Sequence, residues 1–405
     1  MLHAFISRGA DVSSLLLPSW HKIQKLIDTL GGKRGPECAR EMRELAAYIV
    51  VHLAGDIHLA QFPGAIQCIS SLLQSETTWM YWNSNQQGLP HPQSEPPPKK
   101  QAMILRLQKV EQKKEAWRHG QVMKKHDGDH RMEEVDNSSG NGGGGGGSNK
   151  LILLGLSILK RLASDHQNCN EICSTPGILP KITAPLYSDT LVQDIRISAW
   201  ADVVNETFQV LVRLVRDPGE SSKRLVQDIS SNKHAVSNLE KILDENSIAG
   251  PGMQMRAMNI LTALASDSSS NLARETKENL MKKQLQTFLA DEGVEELEAT
   301  CNPNKATAGG ALAFLSTNSE TNSAFIMSGY DDILGRLTDK LDPKNNNIYR
   351  IIAADILGNL CAHCALDKER VKETLLFARK IMCGYSRSWR SRQIEQAVLT
   401  QAITI

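Results

Sequence analysis

Two pairs of closely spaced cysteines are the residues of this 405-residue chain that come nearest to a metal or redox motif. Cys361 and Cys364 form a Cys-x-x-Cys motif, and Cys169 and Cys173 form a second close pair. A structural zinc ion needs four converging ligands, whereas these pairs belong to different units of a repeating pattern. Cys361 also occupies a position that small residues fill elsewhere in that pattern. We therefore expect core and surface thiols here, with no metal site and no disulfide framework.

Motifs of the common enzyme classes are also missing from the sequence. It contains no nucleophile elbow, no His-Glu-x-x-His motif and no phosphate-binding loop. The glycine run from Gly142 to Gly147 follows no predicted strand, so it has no weight as a nucleotide-binding fingerprint. The stretch from His126 to His130 contains a glycine and is typical of a solvated loop rather than a cation site. We expect a protein that is not an enzyme, with no catalytic residues, no cofactor and no small-molecule substrate.

A basic amphipathic segment offers a different chemistry. Between Lys99 and Lys125 the chain carries nine basic residues and two acidic ones. Four apolar residues of the segment share one helical face: Met103, Leu107, Val110 and Trp117. Such a helix suits calmodulin, an anionic membrane surface or plain solvation. A peripheral membrane or calmodulin-regulated protein that acts through Lys99–Trp117 is therefore the alternative to the scaffold predicted below.

A second basic stretch, Arg379–Arg392, also contains Tyr385 and Trp389 and invites a comparison with nucleic-acid stacking surfaces. A polar cap at the end of a repeat array needs the same composition. The net charge of the whole chain is +1, which creates no field that would attract nucleic acid. We therefore expect a cap, and no nucleic-acid partner.

One helical pattern recurs along the chain and would position these side chains. Each repeat is centred on a leucine, and we call these residues the anchor leucines: Leu53, Leu162, Leu214, Leu264, Leu315 and Leu360. Apolar residues precede each anchor by three and four positions, and mostly small residues precede it by seven. These offsets form one stripe of an α-helix. Asp or Asn stands three residues after every anchor except the last and predicts the end of the helix.

The spacing of the anchors predicts the fold. From Leu162 onward the anchors lie 45 to 52 residues apart, close to the roughly 40 to 47 residues of HEAT and armadillo units. Several repeats return through a glycine into a second apolar helix, as at Gly64, Gly177 and Gly329. One unit cannot bury its apolar face alone, so neighbouring units must stack. We predict an all-α, armadillo/HEAT-like right-handed superhelix, or α-solenoid, of about five to seven units.

Composition divides this array into three segments. Residues 1–82 are predicted to hold N-terminal armadillo-like repeats, and residues 150–405 a longer repeat array. Between them, residues 83–149 combine a proline cluster, the basic segment and the glycine run. Such a composition cannot bury enough apolar surface to offset the entropy of ordering, so a disordered insertion is predicted there.

Particular phrases of the sequence resemble known armadillo repeats. They include Leu154-Gly-Leu-Ser-Ile-Leu-Lys-Arg-Leu-Ala-Ser-Asp165 and Cys173-Ser-Thr-Pro-Gly-Ile-Leu-Pro-Lys-Ile182. Residues 37–73, with Leu53-Ala-Gly-Asp56 and Phe62-Pro-Gly-Ala-Ile66, resemble more closely the plant armadillo-type proteins of the brassinolide-enhanced family. The resemblance implies an armadillo fold and a role in plant growth or hormone response. Longer members of that family carry hydrophobic membrane segments before the repeats, and that attachment is not carried over to this sequence.

The residue just before each anchor leucine, which we call the pre-anchor position, would line the groove of an armadillo-like array. The six pre-anchor residues are His52, Arg161, Arg213, Ala263, Phe314 and Asn359. Armadillo-type nuclear-import adaptors carry an asparagine ladder at this position and tryptophans four residues earlier. Only Asn359 matches the ladder, and no tryptophan lies four residues before any of the six pre-anchor residues. Recognition of nuclear-localisation peptides is therefore not expected.

Four of the pre-anchor residues are predicted to contact protein partners: His52, Arg161, Arg213 and Asn359. Arg161 and Arg213 carry the most weight because a guanidinium group can bind a partner carboxylate through two hydrogen bonds. The competing interpretation of each residue is a solvated helix flank.

The predicted function is a non-enzymatic protein-interaction scaffold of armadillo-repeat type. The sequence has no apolar run of the roughly 18 to 20 residues that cross a bilayer and no signal-peptide pattern at its start. Together with free-thiol usage of its cysteines, this favours a cytoplasmic location.

Overall fold

The computed structural model describes residues 13–32, 37–73 and 147–363, apart from residues 197, 245–246, 248, 291–300, 318 and 343. All regular secondary structure in these ranges is helical, which confirms the predicted all-α class. Nearly all of the predicted insertion, including the whole basic segment, lies outside the described residues, as does Arg379–Arg392. The chain divides into two compact units, residues 1–210 and residues 211–405.

Unit 1 is helical throughout its described part. Its helices are α1 (Ser13–Leu16), α2 (Trp20–Leu30), α3 (Glu37–Leu53), α4 (Ala65–Leu72), α5 (Gly147–Leu162), α6 (His166–Ser174), α7 (Leu179–Thr183) and α8 (Leu191–Asp194), with a short 3₁₀ turn at Leu59–Gln61. Helix α2 packs against α3 and α4, and both α3 and α4 pack against α5. Helix α9 (Ser198–Arg216) crosses the boundary between the units.

Unit 2 continues with eight further helices in its described part. They are α10 (Glu220–Ser231), α11 (Lys233–Leu243), α12 (Pro251–Ser266), α13 (Arg274–Leu289), α14 (Pro303–Ser316), α15 (Glu320–Ser328), α16 (Ile333–Asp339) and α17 (Asn347–His363). Three of these, α12, α14 and α17, carry anchor leucines. Helix α12 packs against α14, and α14 packs against α17, so the anchor helices of this unit are direct neighbours.

The anchor leucines form the centre of each core, as predicted. Their exposed fractions are between 0% and 3%, and the apolar residues three and four positions earlier are also buried. The small residues seven positions earlier are buried as well, because close contact between helices leaves no room for longer side chains there. One face of each anchor helix is therefore apolar and packed. Burial of each leucine side chain stabilises the fold by about 1.5 to 3 kcal/mol.

The acidic residues after the anchors lie where helices end, as the pattern predicted. Asp165 follows α5, and its carboxylate accepts the backbone N–H of Asn168 at 2.9 Å, which caps the start of α6. Asp217 and Asp267 come directly after α9 and α12 and accept backbone N–H groups of the following turns, from Gly219 and Ser269. The carboxylates thus stabilise the turns that separate successive helices.

Two of the three predicted glycine returns need glycine for its backbone conformation. Gly64 and Gly177 have φ angles of 81° and 80°, in the left-handed region that other residues rarely adopt. Gly329 instead has an ordinary right-handed conformation. In all three cases a helix with buried apolar residues follows, as predicted.

In unit 1, residues of the ranges 37–73 and 147–210 contact each other directly. The buried side chain of Asn168 accepts the backbone N–H of Leu59 at 2.8 Å and donates to the carbonyl oxygen of Ile57, also at 2.8 Å. The ammonium group of Lys181 donates to the hydroxyl of Ser70 at 2.6 Å. Because these bonds connect residues more than 100 positions apart, the helices before residue 74 pack directly on those after residue 146.

Candidate interaction surface

Polar side chains link neighbouring anchor helices in unit 1. Lys150 on α5 forms an ion pair with Glu44 on α3, with 2.8 Å between nitrogen and oxygen. Lys160, also on α5, forms an ion pair with Glu206 on α9 at 2.7 Å and donates to Gln209 at 3.2 Å. The pair is partly shielded from solvent, with about a fifth of each side chain exposed. Lys160 directly precedes the pre-anchor residue Arg161, so its ion pair with Glu206 lies beside that position.

Unit 2 uses two similar links. The guanidinium group of Arg216, at the end of α9, donates to the side-chain oxygen of Asn259 on α12 at 2.7 Å. The side-chain amide of Asn359 on α17 donates to the carbonyl oxygen of Ala313 and the hydroxyl of Ser316 on α14, both at 2.9 Å. The second link joins α17 to the final turn of α14, where the carbonyl oxygen of Ala313 also accepts the backbone N–H of Thr317.

The pre-anchor residues differ widely in exposure, unlike the anchor leucines beside them. Arg161, Arg213 and Phe314 are exposed, whereas His52 and Asn359 are half-buried and Ala263 is buried. Arg161 and Arg213 thus have the accessibility that the predicted role requires. Arg161 belongs to unit 1 and Arg213 to unit 2.

His52 and Arg161 lie near each other on α3 and α5. Partial burial of His52 and the charge of the Arg161 guanidinium lower the pKa of the His52 imidazole from its ordinary value of 6.5. The ring of Tyr48 lies edge-on to the imidazole, with 5.1 Å between the ring centres. This arrangement favours a neutral His52 imidazole beside the permanent positive charge of Arg161. A carboxylate placed between the two side chains could accept hydrogen bonds from both.

Asn359 occupies the one pre-anchor position that matches an asparagine ladder, but its amide donors are directed into the fold. Besides Ala313 and Ser316, its nitrogen lies 3.3 Å from the hydroxyl oxygen of Thr317. These contacts serve the packing of α17 on α14, and any partner would have to compete with them. The prediction that Asn359 contacts a partner stays a prediction.

Phe314 is one of the two pre-anchor residues, with Ala263, that the predicted partner-binding set leaves out. Its side chain is 58% exposed, which is unusual for a phenylalanine in a helix with a filled core face. It lines an open cavity of about 1020 Å³ in unit 2. Phe314 stands at the same offset as Arg161 and Arg213, but the offset alone does not show that its side chain is exposed.

Cys169 and Cys361 are buried, and Cys173 is half-buried. Cys169 is buried, and its thiol donates to the carbonyl oxygen of Ala163 at 3.4 Å. Cys361 is 6% exposed, in a packed position of α17, while Cys364 lies outside the described residues. Across the described ranges, no three histidine, cysteine or acidic side chains are grouped so that they could hold a metal ion.

None of the helices in the described part of the chain combines the length and the apolar character that crossing a bilayer requires. Comparison with models of known protein families gave no match, and comparison with curated proteins gave none either.

Proposed function

We propose that this chain is a non-enzymatic interaction scaffold built from armadillo-like repeats, and that it binds protein partners through its exposed pre-anchor residues. The contrast between adjacent positions carries this proposal: the anchor leucines are buried throughout, while the residues beside them vary in chemistry and accessibility. Uniform core positions with variable neighbours are what a repeat protein needs to present a specific surface on a common framework.

Side-by-side packing of the anchor helices supports an armadillo-like solenoid. Helix α3 packs on α5 in unit 1, and α12, α14 and α17 pack in succession in unit 2. Pre-anchor residues of neighbouring repeats therefore lie on neighbouring helices, as His52 and Arg161 do. An extended partner segment could contact several of them in turn.

Acidic segments are the partners that this surface favours. Arg161 and Arg213 are exposed guanidinium groups, which form paired hydrogen bonds with carboxylates. Because exposed charges are screened beyond about 8 to 10 Å at physiological ionic strength, we expect binding to weaken as salt is added. The resemblance of residues 37–73 to the brassinolide-enhanced family leads us to propose plant growth or hormone response as the process.

Replacement of both arginines tests the proposal. The double variant Arg161→Ala, Arg213→Ala should bind its partners more weakly by about 1 to 3 kcal/mol, because charge-assisted hydrogen bonds are lost. Partners recovered by proximity labelling with the wild-type chain would be purified, and their affinity for both forms measured by calorimetry. Circular dichroism should show unchanged helicity, since exposed side chains contribute little to stability.

A matched control separates a local effect from a change in net charge. Arg196 and Arg224 are also exposed arginines, one in each unit, and neither is a pre-anchor residue. The double variant Arg196→Ala, Arg224→Ala removes the same charge and should bind partners as the wild type does. If both double variants bind partners equally weakly, the loss of affinity comes from net charge and not from the pre-anchor positions. If neither variant binds more weakly than the wild type, the role of Arg161 and Arg213 is refuted.

A further inference from the structure

One threonine of the chain is followed directly by proline, and it lies where α6 ends. Of the 15 prolines in the sequence, only Pro176 follows a serine or threonine, and that residue is Thr175. Thr175 comes directly after α6 and has extended backbone angles, with φ at −75° and ψ at 120°. A proline favours such angles in the residue before it and prevents the helix from continuing. The chain therefore leaves α6 in an extended form at a residue that carries a hydroxyl group.

The turn that follows α6 is accessible to solvent. Ser174, Pro176 and Gly177 are exposed, and Thr175 among them is half-buried. The hydroxyl of Thr175 donates to the carbonyl oxygen of Glu171 at 2.7 Å, and the backbone N–H of Thr175 donates to the same oxygen at 3.1 Å. The hydroxyl group thus lies at the surface, bonded to the last turn of its own helix.

We propose that Thr175 is a phosphorylation site for a proline-directed protein kinase, and that its phosphorylation loosens the last turn of α6. Such kinases modify a serine or threonine that stands directly before a proline in an extended segment. The hydroxyl oxygen of Thr175 forms a bond to the γ-phosphorus of ATP, and the bond between that phosphorus and the bridging oxygen of ADP breaks. The hydroxyl proton passes to a carboxylate of the kinase. The inference goes beyond the proposed scaffold function and does not depend on it.

A phosphate group on Thr175 would be unfavourable for the end of α6. It carries a charge of about −1.5 to −2 at pH 7, and the C-terminal end of a helix already has a partial negative charge. The carboxylate of Glu171, an exposed residue one turn earlier, adds a like charge. Phosphorylated Thr175 also lacks the hydroxyl proton that it donates to the carbonyl oxygen of Glu171. Repulsion and the lost hydrogen bond both act against the last helical turn.

Loosening of this turn would affect the core of unit 1. The side chain of Ile172 lies in the last turn and is fully buried. Helix α6 also packs on the 3₁₀ turn Leu59–Gln61, where the side chain of Asn168 accepts the backbone N–H of Leu59. Phosphorylation of Thr175 therefore gives a means to weaken the packing between residues that lie more than 100 positions apart.

Phosphorylation of the purified full-length chain tests the site. The chain is incubated with a purified mitogen-activated protein kinase and ATP, and the modified residues are identified and quantified by mass spectrometry. We expect phosphate on Thr175. The variants Thr175→Val and Pro176→Ala should each abolish incorporation at this turn, because one removes the acceptor oxygen and the other removes the proline.

Two further variants serve as matched controls. Thr175→Ser keeps a hydroxyl group before Pro176 and should still be phosphorylated. Thr321 is an exposed threonine of unit 2 that no proline follows, so Thr321→Val should be phosphorylated on Thr175 as the wild type is. Unchanged melting temperatures of the four variants would show that the differences come from the site and not from unfolding.

Hydrogen–deuterium exchange measures the effect of the phosphate on α6. After phosphorylation, the amide hydrogens in the last turn of α6 should exchange about threefold faster or more, because the end of the helix is destabilised. Exchange in α14 of unit 2 should not change and serves as the internal reference. Thr175→Val treated with the same kinase and ATP should exchange as it does without treatment.

Three results would overturn the inference. One is the absence of phosphate on Thr175 of the folded chain. Another is equal phosphorylation of Pro176→Ala and the wild type, which would remove the dependence on proline. The third is unchanged or slower exchange in α6 after phosphorylation, as pairing of the phosphate with Lys181 would cause. The arginine variants above test the scaffold function separately, so the two proposals can fail independently.

Discussion

The two units of this chain have the same interior and different exposed residues. Anchor leucines are buried to the same degree in both, with exposed fractions of 3% or less. Beside them, unit 1 presents His52 and Arg161, whereas unit 2 presents Arg213 and Phe314 and directs the amide of Asn359 to α14. The exposed pre-anchor residue of unit 1 is therefore a cation, and those of unit 2 are a cation and an aromatic ring.

This difference separates two demands on a repeat protein. Stacking of helices requires the same offsets in every repeat, because a side chain of another size at an anchor position would leave a void or a clash. The position one residue earlier is exposed at Arg161, Arg213 and Phe314, so it can vary there without changing the core contacts. Specificity can then differ between units that share one framework.

The strongest test of a shared interior compares core substitutions in the two units. Leu264→Ala in unit 2 and Leu53→Ala in unit 1 should each reduce the free energy of unfolding by about 2 to 5 kcal/mol, because each leaves a cavity in a filled core. Phe314→Ala should change it by less than about 0.5 kcal/mol. Urea denaturation followed by circular dichroism measures all three. If Leu53→Ala leaves the free energy of unfolding unchanged, only the stability of unit 2 depends on its anchor leucines.

Glycine positions on α14 test how closely the helices of unit 2 approach. A methyl group added at Gly309 would lie 2.5 Å from a ring carbon of Phe288 and 2.7 Å from a methyl carbon of Ile352. Gly309→Ala should therefore reduce the free energy of unfolding by about 1 to 3 kcal/mol. At the next residue, Gly310, an added methyl group meets no atom within 4 Å. Gly310→Ala should stabilise the protein by about 0.5 to 1 kcal/mol, because alanine favours the helix.

Unit 1 offers the counterpart at Gly155 of α5, where an added methyl group would lie 3.0 and 3.1 Å from carbon atoms of Leu72 and Leu73. These leucines can yield slightly, so Gly155→Ala should cost less than Gly309→Ala. Thermal denaturation of the three alanine variants would rank them. An equal cost at Gly155 and Gly309 would contradict the difference in helix approach between the units.

The smallest expected effect is the pH dependence of His52. Its pKa is lower in the folded chain than its ordinary value of 6.5, so below that value the unfolded chain binds the proton more readily. Its contribution to stability is therefore present above about pH 6.5 and is lost as the pH falls further. Urea denaturation of the wild type and of His52→Gln between about pH 7.5 and pH 5 would measure the contribution of His52 to the free energy of unfolding, as the difference between the two pH profiles. The variant should lose less stability over this range, and parallel profiles would contradict the shifted pKa.

Much of the interior could be predicted from the sequence because it depends on periodic offsets. The anchor stripe, the helix ends at Asp165, Asp217 and Asp267, and the helices after Gly64 and Gly177 all follow from local rules of burial, capping and turn formation. Each rule involves residues that are close in sequence, so a single chain is sufficient to apply it.

The exposed residues were harder to predict, since their roles depend on neighbours that are distant in sequence. The amide of Asn359 is engaged by α14, which lies more than 40 positions earlier. Asn168 bonds with a turn that lies more than 100 positions earlier. The exposure of Phe314 depends on how the helices around it pack, which periodicity does not reveal. Such contacts arise only when helices from different repeats come together.

Site-specific photo-cross-linking tests the central claim, that exposed pre-anchor residues bind the partners, most directly. A p-benzoylphenylalanine residue would replace Arg161 in one variant and Arg224, an exposed arginine outside the pre-anchor positions, in another. After irradiation with the purified partner, cross-linked peptides would be quantified by mass spectrometry. We expect partner cross-links from position 161 and none above background from position 224. Equal yields from both positions, or a yield from position 224 alone, would contradict the account.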